Sequence, residues 1–560
     1  MRTRLPAFVC CLLLAAGCLF TAAAPLRADI KLTLDAKNGD SISDTAKIVA
    51  HADSADNIDK VEFYVDDQLR FTAPSVPYAF TWDTIPEKEG MHTLAVTAFD
   101  ANGQTKKLSI TLNIDNELAL GADPLAAKAA AALKANDLPG AMKYSRRALK
   151  AEPGNAEASR VLAGMYANEG DWNRAVTTLE KSNNAATNTG TMLDIATYKM
   201  RRALRPENAA TFFTELESIY ALRQQVADMH AAEVAKQNTD DTTAAHEAIG
   251  DALFAAAHYH AAVLEYRKVA DKENAPATSV NRYALAALFE GTPEAAIDIL
   301  HIAEVKGTVP DAATRAVRAL ALVRATRYEE ARAILAADVL KSYPASLIVA
   351  AYADSSSGKF LPARAEAQAA AKLLPSAAET LYATSMTVQQ LTAQEDALNS
   401  TLSLAPFQTA PYLDFAARVA VEKQPDRVER AMKFVDFVLK RDPKNVNARL
   451  QKALLYLQTN RLKEAGGILD ALAKGGQQTP DVMAALGTYW ESARKPAISL
   501  EYTAAAHKMD KARFGRTISP TPMELMYDLN RRYRYDIGFF LTPTSLYPPQ
   551  PVVPTAPAAP

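Results

Sequence analysis

A chain of 560 residues is too long for one ordinary hydrophobic core, so two or more folded units are expected. Its 49% hydrophobic and 22% charged residues are typical of globular protein and exclude a disordered or fibrous chain. A formal charge of -2 excludes a broad basic surface for nucleic acid.

Residues 1–28 read as a secretion signal. Arg2 and Arg4 supply the positive start, Phe8 to Ala24 the apolar run, and polar sequence begins at Asp29. A membrane anchor would need roughly twenty apolar residues without this small-residue exit. Two processing routes stay open. Signal peptidase can cut after Leu26-Arg27-Ala28 or after Thr21-Ala22-Ala23. Alternatively, Ala15-Ala16-Gly17-Cys18 resembles a bacterial lipobox that lipidates Cys18, with alanine where leucine is usual. All three cysteines (Cys10, Cys11, Cys18) lie in this segment. A mature chain beginning at Asp29 therefore has no disulfide, thiolate metal site or cysteine nucleophile. The loss of Arg2, Arg4 and Arg27 leaves it mildly acidic. The expected destination is periplasmic, extracellular or outer-membrane-associated, with the membrane reached only through a lipid anchor.

Residues 29–116 alternate apolar and polar positions with period two. IKLTLD, TAKIVAHA, KVEFYVDD, YAFTWD, HTLAVTAFD and KLSITLNID are separated by turn formers such as Asn38-Gly39-Asp40 and Asn102-Gly103. Six or seven short strands in this length predict an all-β sandwich. Val61, Phe63 and Val65 are expected to face inward across from Leu94, Val96 and Ala98, with Trp82 as a core anchor. KVEFYVDDQL, PYAFTWDT and GMHTLAVTAFDANGQ, in that order, resemble the bacterial immunoglobulin-like domain. The resemblance implies a spacer or binding module without catalysis. Asp100 and Asn102 present oxygens that suit calcium, or simply close a hairpin.

From residue 117 to 512 alanine becomes dense and apolar residues recur every three and four positions, the mark of helices. A longer period overlies this. Ala141 and Ala175, Ala262 and Ala296, and Ala431 and Ala465 are each 34 apart, while Ala331 and Ala363 continue the series at 35 and 32. Twelve residues before most of these stands a small residue: Ala129, Ala163, Gly250, Ala284, Ala319, Ala351 or Ala453, with Val419 the exception. Pro153, Pro375 and Pro443 recur twelve residues after. Two antiparallel helices approach closely only where small side chains meet, and a proline ends the unit. LAGMYANEGDWNRAVTTLEKS (Leu162 to Ser182) and AIGDALFAAAHYHAAVLEYRKVA (Ala248 to Ala270) resemble the tetratricopeptide repeat. About eight to ten units are expected between Gly121 and Lys511, with 183–241 helical but off register.

The resemblance implies an α-solenoid, wound as a right-handed superhelix, whose first helices line a groove for a protein or peptide partner. Its register puts Glu157, Arg160, Glu247, Asp251, Phe254, Asn281 and Tyr352 on that lining, where a solvated helix face is the alternative explanation. The lysine–asparagine clamp by which some members hold C-terminal carboxylates is missing at matching positions. Residues 513–560 hold the aromatics Tyr527, Tyr533, Tyr535, Phe539 and Phe540, which suit a cap on the last repeat or a docking surface. A proline-rich end follows, expected to be extended and disordered.

No catalytic pattern emerges. His258 and His260, with His246 one helix earlier, lack the spacing of a metal site. No glycine-rich phosphate loop or serine elbow is present. The stretches outside the two modules, 183–241 and 513–560, are too short for a typical catalytic domain. The chain is thus expected to be an exported, non-enzymatic, cofactor-free scaffold for a protein or peptide, with no nucleic acid. The alternatives are a lipid-anchored structural protein of the envelope and, further off, an enzyme using the groove. Mass spectrometry of the mature N-terminus is expected to find Asp29; an acylated Cys18 there would replace plain secretion by lipid anchoring.

Overall fold

The computed structural model describes residues 29–548 except 209, 338–341, 389, 422–425, 512 and 532–539. Cys18 and the signal, Tyr533, Tyr535, Phe539 and the proline-rich end lie outside the described residues. The chain divides into two compact units between Ala185 and Ala186.

The first unit opens with eight strands: β1 (Lys31–Leu34), β2 (Ser41–Ile42), β3 (Thr45–Asp53), β4 (Ile58–Val65), β5 (Gln68–Ala73), β6 (Tyr78–Asp83), β7 (Gly90–Asp100) and β8 (Thr105–Ile114). They form a sandwich of sheets β1-β3-β6 and β2-β8-β7-β4-β5. Pairing of β4 with β7 sets Val61 against Ala98, Phe63 against Val96 and Val65 against Leu94. All six are fully buried, and Trp82 is 3% exposed, as the alternation predicts. Because β-strand side chains alternate faces, this one register commits the whole apolar set to the core. Two strands escaped the pattern: β2 is too short to show it, and β5 is an exposed edge strand.

Two helical hairpins follow, α1 (Ala122–Lys134) with α2 (Leu138–Ala151) and α3 (Ala156–Asn168) with α4 (Trp172–Glu180). Arg147, 4% exposed, ties α2 to the sandwich. Its Nε and Nη2 donate to both oxygens of Asp44 at 2.7 and 2.6 Å, and its Nη1 to Glu117 at 3.0 Å. A forked guanidinium on a carboxylate fixes orientation as well as distance.

The second unit carries nine hairpins among the described residues. They are α5 (Thr189–Ala203) with α6 (Phe212–Gln237), α7 (Thr243–Ala255) with α8 (Tyr259–Ala270), α9 (Ala277–Glu290) with α10 (Pro293–Val305), and α11 (Ala312–Arg324) with α12 (Tyr328–Leu335). Next come α13 (Pro344–Ser356) with α14 (Phe360–Leu373), α15 (Ala378–Thr387) with α16 (Leu391–Leu404), and α17 (Thr409–Ala420) with α18 (Arg427–Arg441). The last are α19 (Val446–Gln458) with α20 (Leu462–Lys474) and α21 (Pro480–Ser492) with α22 (Pro496–Met509). Counting both units gives eleven hairpins rather than eight to ten, because the off-register stretch 183–241 also folds as one. Side-chain caps start many helices: Asp137, Asn155, Asp171, Thr242 and Asn445 each accept a backbone N–H three residues on. Within a hairpin the chain turns through a left-handed residue, Asn136 or Gly170 for example, as helix ends commonly do.

Every alanine of the 34-residue register is buried. One pair departs from it instructively. Where most other units place leucine or valine four residues after the register alanine (Leu179, Leu300, Leu335, Val435, Leu469), the unit at Ala262 places Tyr266, fully buried. Its partner position is Gly250, where an added Cβ would lie 2.3 Å from the Tyr266 ring. The larger side chain has been accommodated by removing the methyl opposite. Gly250→Ala is therefore expected to cost about 1–3 kcal/mol by overpacking. Combining it with Tyr266→Leu should recover part of that loss in a double-mutant cycle read by denaturant unfolding, and additive losses would refute the pairing.

Candidate functional site

In the second unit the first helices of successive hairpins touch, α9 with α11, α11 with α13, α13 with α15, α17 with α19 and α19 with α21. Their shared side is the inner, concave side of the array. The array also meets itself. Phe212 and Phe213 of α6 pack on Phe434 of α18, and Arg441 bonds Glu217 at 2.6 Å and stacks over Tyr220 at 4.1 Å. Tyr259 of α8 accepts a hydrogen bond from Gln408 at 3.2 Å. These contacts join segments five and six hairpins apart, and Tyr220, Tyr259, Gln408 and Arg441 line a pocket of about 330 Å³.

The inner face is covered by the chain's own C-terminal region. Beyond α22, Arg513 pairs with Asp481 of α21 at 2.5 Å, their side chains 0% and 5% exposed. Ser519 then bonds Ser499 and Thr503 at 2.9 and 2.6 Å, close to Gly487, where a Cβ would collide with Thr503. A short helix, α23 (Pro522–Arg531), lies against α17, α19 and α21 and buries Leu525, Met526 and Leu529.

Residues 540–548 continue across α15, α13, α11 and α9. Phe540 is fully buried and stacks on Tyr382 of α15, with ring centroids 5.6 Å apart. Its carbonyl accepts the Tyr352 hydroxyl at 3.2 Å. Thr542 donates to the buried Glu379 carboxylate at 2.5 Å and caps the single-turn helix α24 (Pro543–Leu546). Tyr343 donates to the Leu546 carbonyl, and Leu546 is fully buried. Tyr547 ends the run. Its hydroxyl accepts from Asn281 at 2.8 Å and donates to Asp311 at 3.2 Å, and Arg282 stacks over its ring at 4.7 Å. Burial pushes the phenols of Tyr343, Tyr352 and Tyr547 well above their ordinary value, so each remains a protonated donor.

Among the residues expected on the lining, Asn281 and Tyr352 touch this segment directly. Asp251 and Glu247 act one step behind, both holding Arg282, Asp251 at 2.9 Å and Glu247 at 3.3 Å. Phe254 is 3% exposed and packs inside the array against Tyr259 and Phe289. Glu157 and Arg160 are exposed on α3 in the first unit. Tyr343, Glu379, Tyr382, Asp311 and Arg282 were not singled out in the sequence. A signal for this face did exist: α13 (PASLIVAAYADSS) and α17 (TAPYLDFAARVA) carry few charged residues, and a helix that is largely apolar on every side is covered on every side. Of the aromatics expected to cap the last repeat, Tyr527 is 40% exposed on α23, while Phe540 seats on α13 and α15.

Other candidates resolve locally. Asp100 accepts the backbone N–H of Asn102 and Gln104, which closes the β7–β8 turn. His246 lies between Asp241 and Glu265, His258 bonds Asp228, and His260 bonds Glu290. Among the described residues no group of three or more His, Cys, Asp or Glu could hold a metal ion, and no helix is long and apolar enough to cross a membrane.

The bacterial Ig domain family model matches residues 33–96, and the tetratricopeptide repeat model matches 132–192 and 424–487. With the sandwich and the hairpins, these matches define the class. The chain carries a bacterial immunoglobulin-like domain followed by tetratricopeptide repeats, which generally bind protein partners. No curated protein matches it. Fibronectin(III)-like modules of CbhA from Clostridium thermocellum align at 24% identity over 16% of this chain, with a TM-score of 0.14. That match spans only 47% of the module chain. The Cut9-Hcn1 hetero-tetramer of the APC/C aligns at 11% identity over 70% of this chain and 87% of that one, with a TM-score of 0.38. A tetratricopeptide repeat protein from Parabacteroides merdae aligns at 13% identity over 45% and 98%, with a TM-score of 0.30.

The Asp481–Arg513 pair, where the chain turns toward the groove, carries a pH signature. Burial pushes Asp481 up to about 6 against the pull of Arg513. Its ordinary value is about 4, so folding takes up a proton between these limits. The stability it contributes is fullest below about pH 4 and is lost as pH rises through 6. The thermal midpoint of wild type, taken relative to Asp481→Asn, is expected to fall from pH 4.5 to 6.5 and level off above 7. A rising difference would reverse the assignment.

Proposed function

We propose that the protein is an exported, non-enzymatic scaffold that holds a protein or peptide segment in the groove lined by the first helices of its second unit. The immunoglobulin-like module serves as spacer or second contact, and exposed Glu157 and Arg160 offer further partner contacts on α3. The observation that carries this reading is the nine-residue segment 540–548, bound there through its main chain and its side chains together. Hydroxyls that reach carbonyls accept any extended segment, while the Asn281–Asp311 pair and the Glu379 carboxylate select particular side chains. The mild acidity of the mature chain supports a protein partner over nucleic acid.

Capture from an envelope extract tests this. Wild type and a chain ending at Arg531 are compared, each with and without Asn281→Ala and Glu379→Ala. A partner lost on those substitutions, with helical content by circular dichroism unchanged, is the expected result. Retention indifferent to them, or no partner on either chain, would refute the groove.

A further inference from the structure

Resting on that reading, we propose that residues 540–548 are an exchangeable internal ligand, and that the groove on α9–α15 takes a partner segment of the same chemistry. That chemistry is two aromatic residues seven positions apart, the second a tyrosine, bridged by a Thr-Pro-initiated turn. Three observations lead there.

First, the contacts are those of a receptor with its peptide. Two anchors, the fully buried Phe540 on Tyr382 and the half-buried Tyr547 under Arg282, flank the turn that Thr542 caps. Such end-anchored segments derive specificity from the anchors and affinity from main-chain bonds between them. The phenol is read individually, since Asn281 donates to its oxygen and Asp311 accepts its proton. Phenylalanine at that position would leave both groups short of a partner.

Second, the fit is incomplete. Asn281 is fully buried, and its amide oxygen has no hydrogen-bond donor among the described residues. A buried acceptor left without a donor is costly, and folded proteins seldom tolerate one. A partner segment that supplies an N–H at this oxygen outbinds the tail by that margin.

Third, the segment is tethered. A ligand on the same chain acts at high effective concentration, so even a modest intrinsic fit closes the groove to free peptide. An external segment binds with its affinity reduced by the fraction of molecules whose tail is released. The tail thus keeps an apolar groove covered until a better-matched partner arrives.

The test uses the full chain and a labelled peptide of residues Phe540 to Pro548. The double variant Phe540→Ala/Tyr547→Ala is expected to bind the peptide saturably, at least about tenfold tighter than wild type does. Replacing the peptide's second aromatic by phenylalanine should weaken that binding by about tenfold or more, as for hydrogen bonds to a charged group. A variant that keeps its circular dichroism yet binds no peptide, or a wild type that binds equally well, overturns the proposal. Hydrogen exchange on the unaltered protein covers the case of a variant that does not fold. Amides of 541–547 should exchange through local opening, far faster than those of α13 and α17; exchange of both sets together would make the tail a fixed strut and end the proposal. Peptide binding without any captured envelope partner keeps this inference while defeating the scaffold reading. Capture that is equal with and without tail release does the reverse.

Discussion

The repeat array depends on small side chains at the positions where its paired helices pack. In seven of the eleven hairpins among the described residues a buried alanine or glycine on the first helix stands twelve residues before a buried alanine on the second, at a spacing that returns about every 34 residues. Close packing of that kind has little slack, and the pair of Gly250 and Tyr266 shows the limit, a methyl removed where a ring was added. Because the hairpins are thin and alike, they stack with their first helices touching, and a stack whose inner helices touch must curve. The concave face follows from the register of small residues, and so does the need to cover it.

What covers it is supplied by the chain itself. The path is fixed in stages: a buried ion pair at Asp481 and Arg513, a hydroxyl cluster at Ser519, the apolar face of α23, then the anchors at Phe540 and Tyr547. A buried ion pair is weak evidence for stability, because desolvation offsets attraction. Its use here is to specify direction, since Arg513 has one carboxylate deep in α21 to meet. The aromatic anchors contribute the apolar burial. Polar and apolar parts therefore divide the labour, one setting register and the other holding the segment down.

Much of this was readable in the sequence, and the failures have physical causes. Alternation in β4 and β7 gave the sandwich its register down to Phe63 opposite Val96, because one buried face leaves no other choice. β5 went unread because Gln68–Thr72 is an exposed edge with no alternation to detect. Every alanine of the repeat register is buried, and the register lapses in 183–241, where the 26-residue α6 replaces the usual short helix. Position along the first helices put Asn281 and Tyr352 on the face that segment 540–548 touches, but Phe254 is turned inside among other rings. The tail's seat had no local signature. Tyr547 and Asn281 are 266 residues apart, and no periodicity links them. The trace left behind was indirect: α13 and α17 are too apolar on every side for helices with a wet face.

The central claim is that residues 540–548 lie in the concave groove of their own chain. A chain that begins at Asp29 contains no cysteine, so an introduced pair reports without background. Thr542→Cys with Glu379→Cys places two thiols where hydroxyl and carboxylate now meet at 2.5 Å. A short bifunctional thiol reagent should link them within one chain, giving a faster-migrating monomer and a single crosslinked peptide by mass spectrometry. Links found only between chains, or none while each single cysteine reacts freely, would contradict the account.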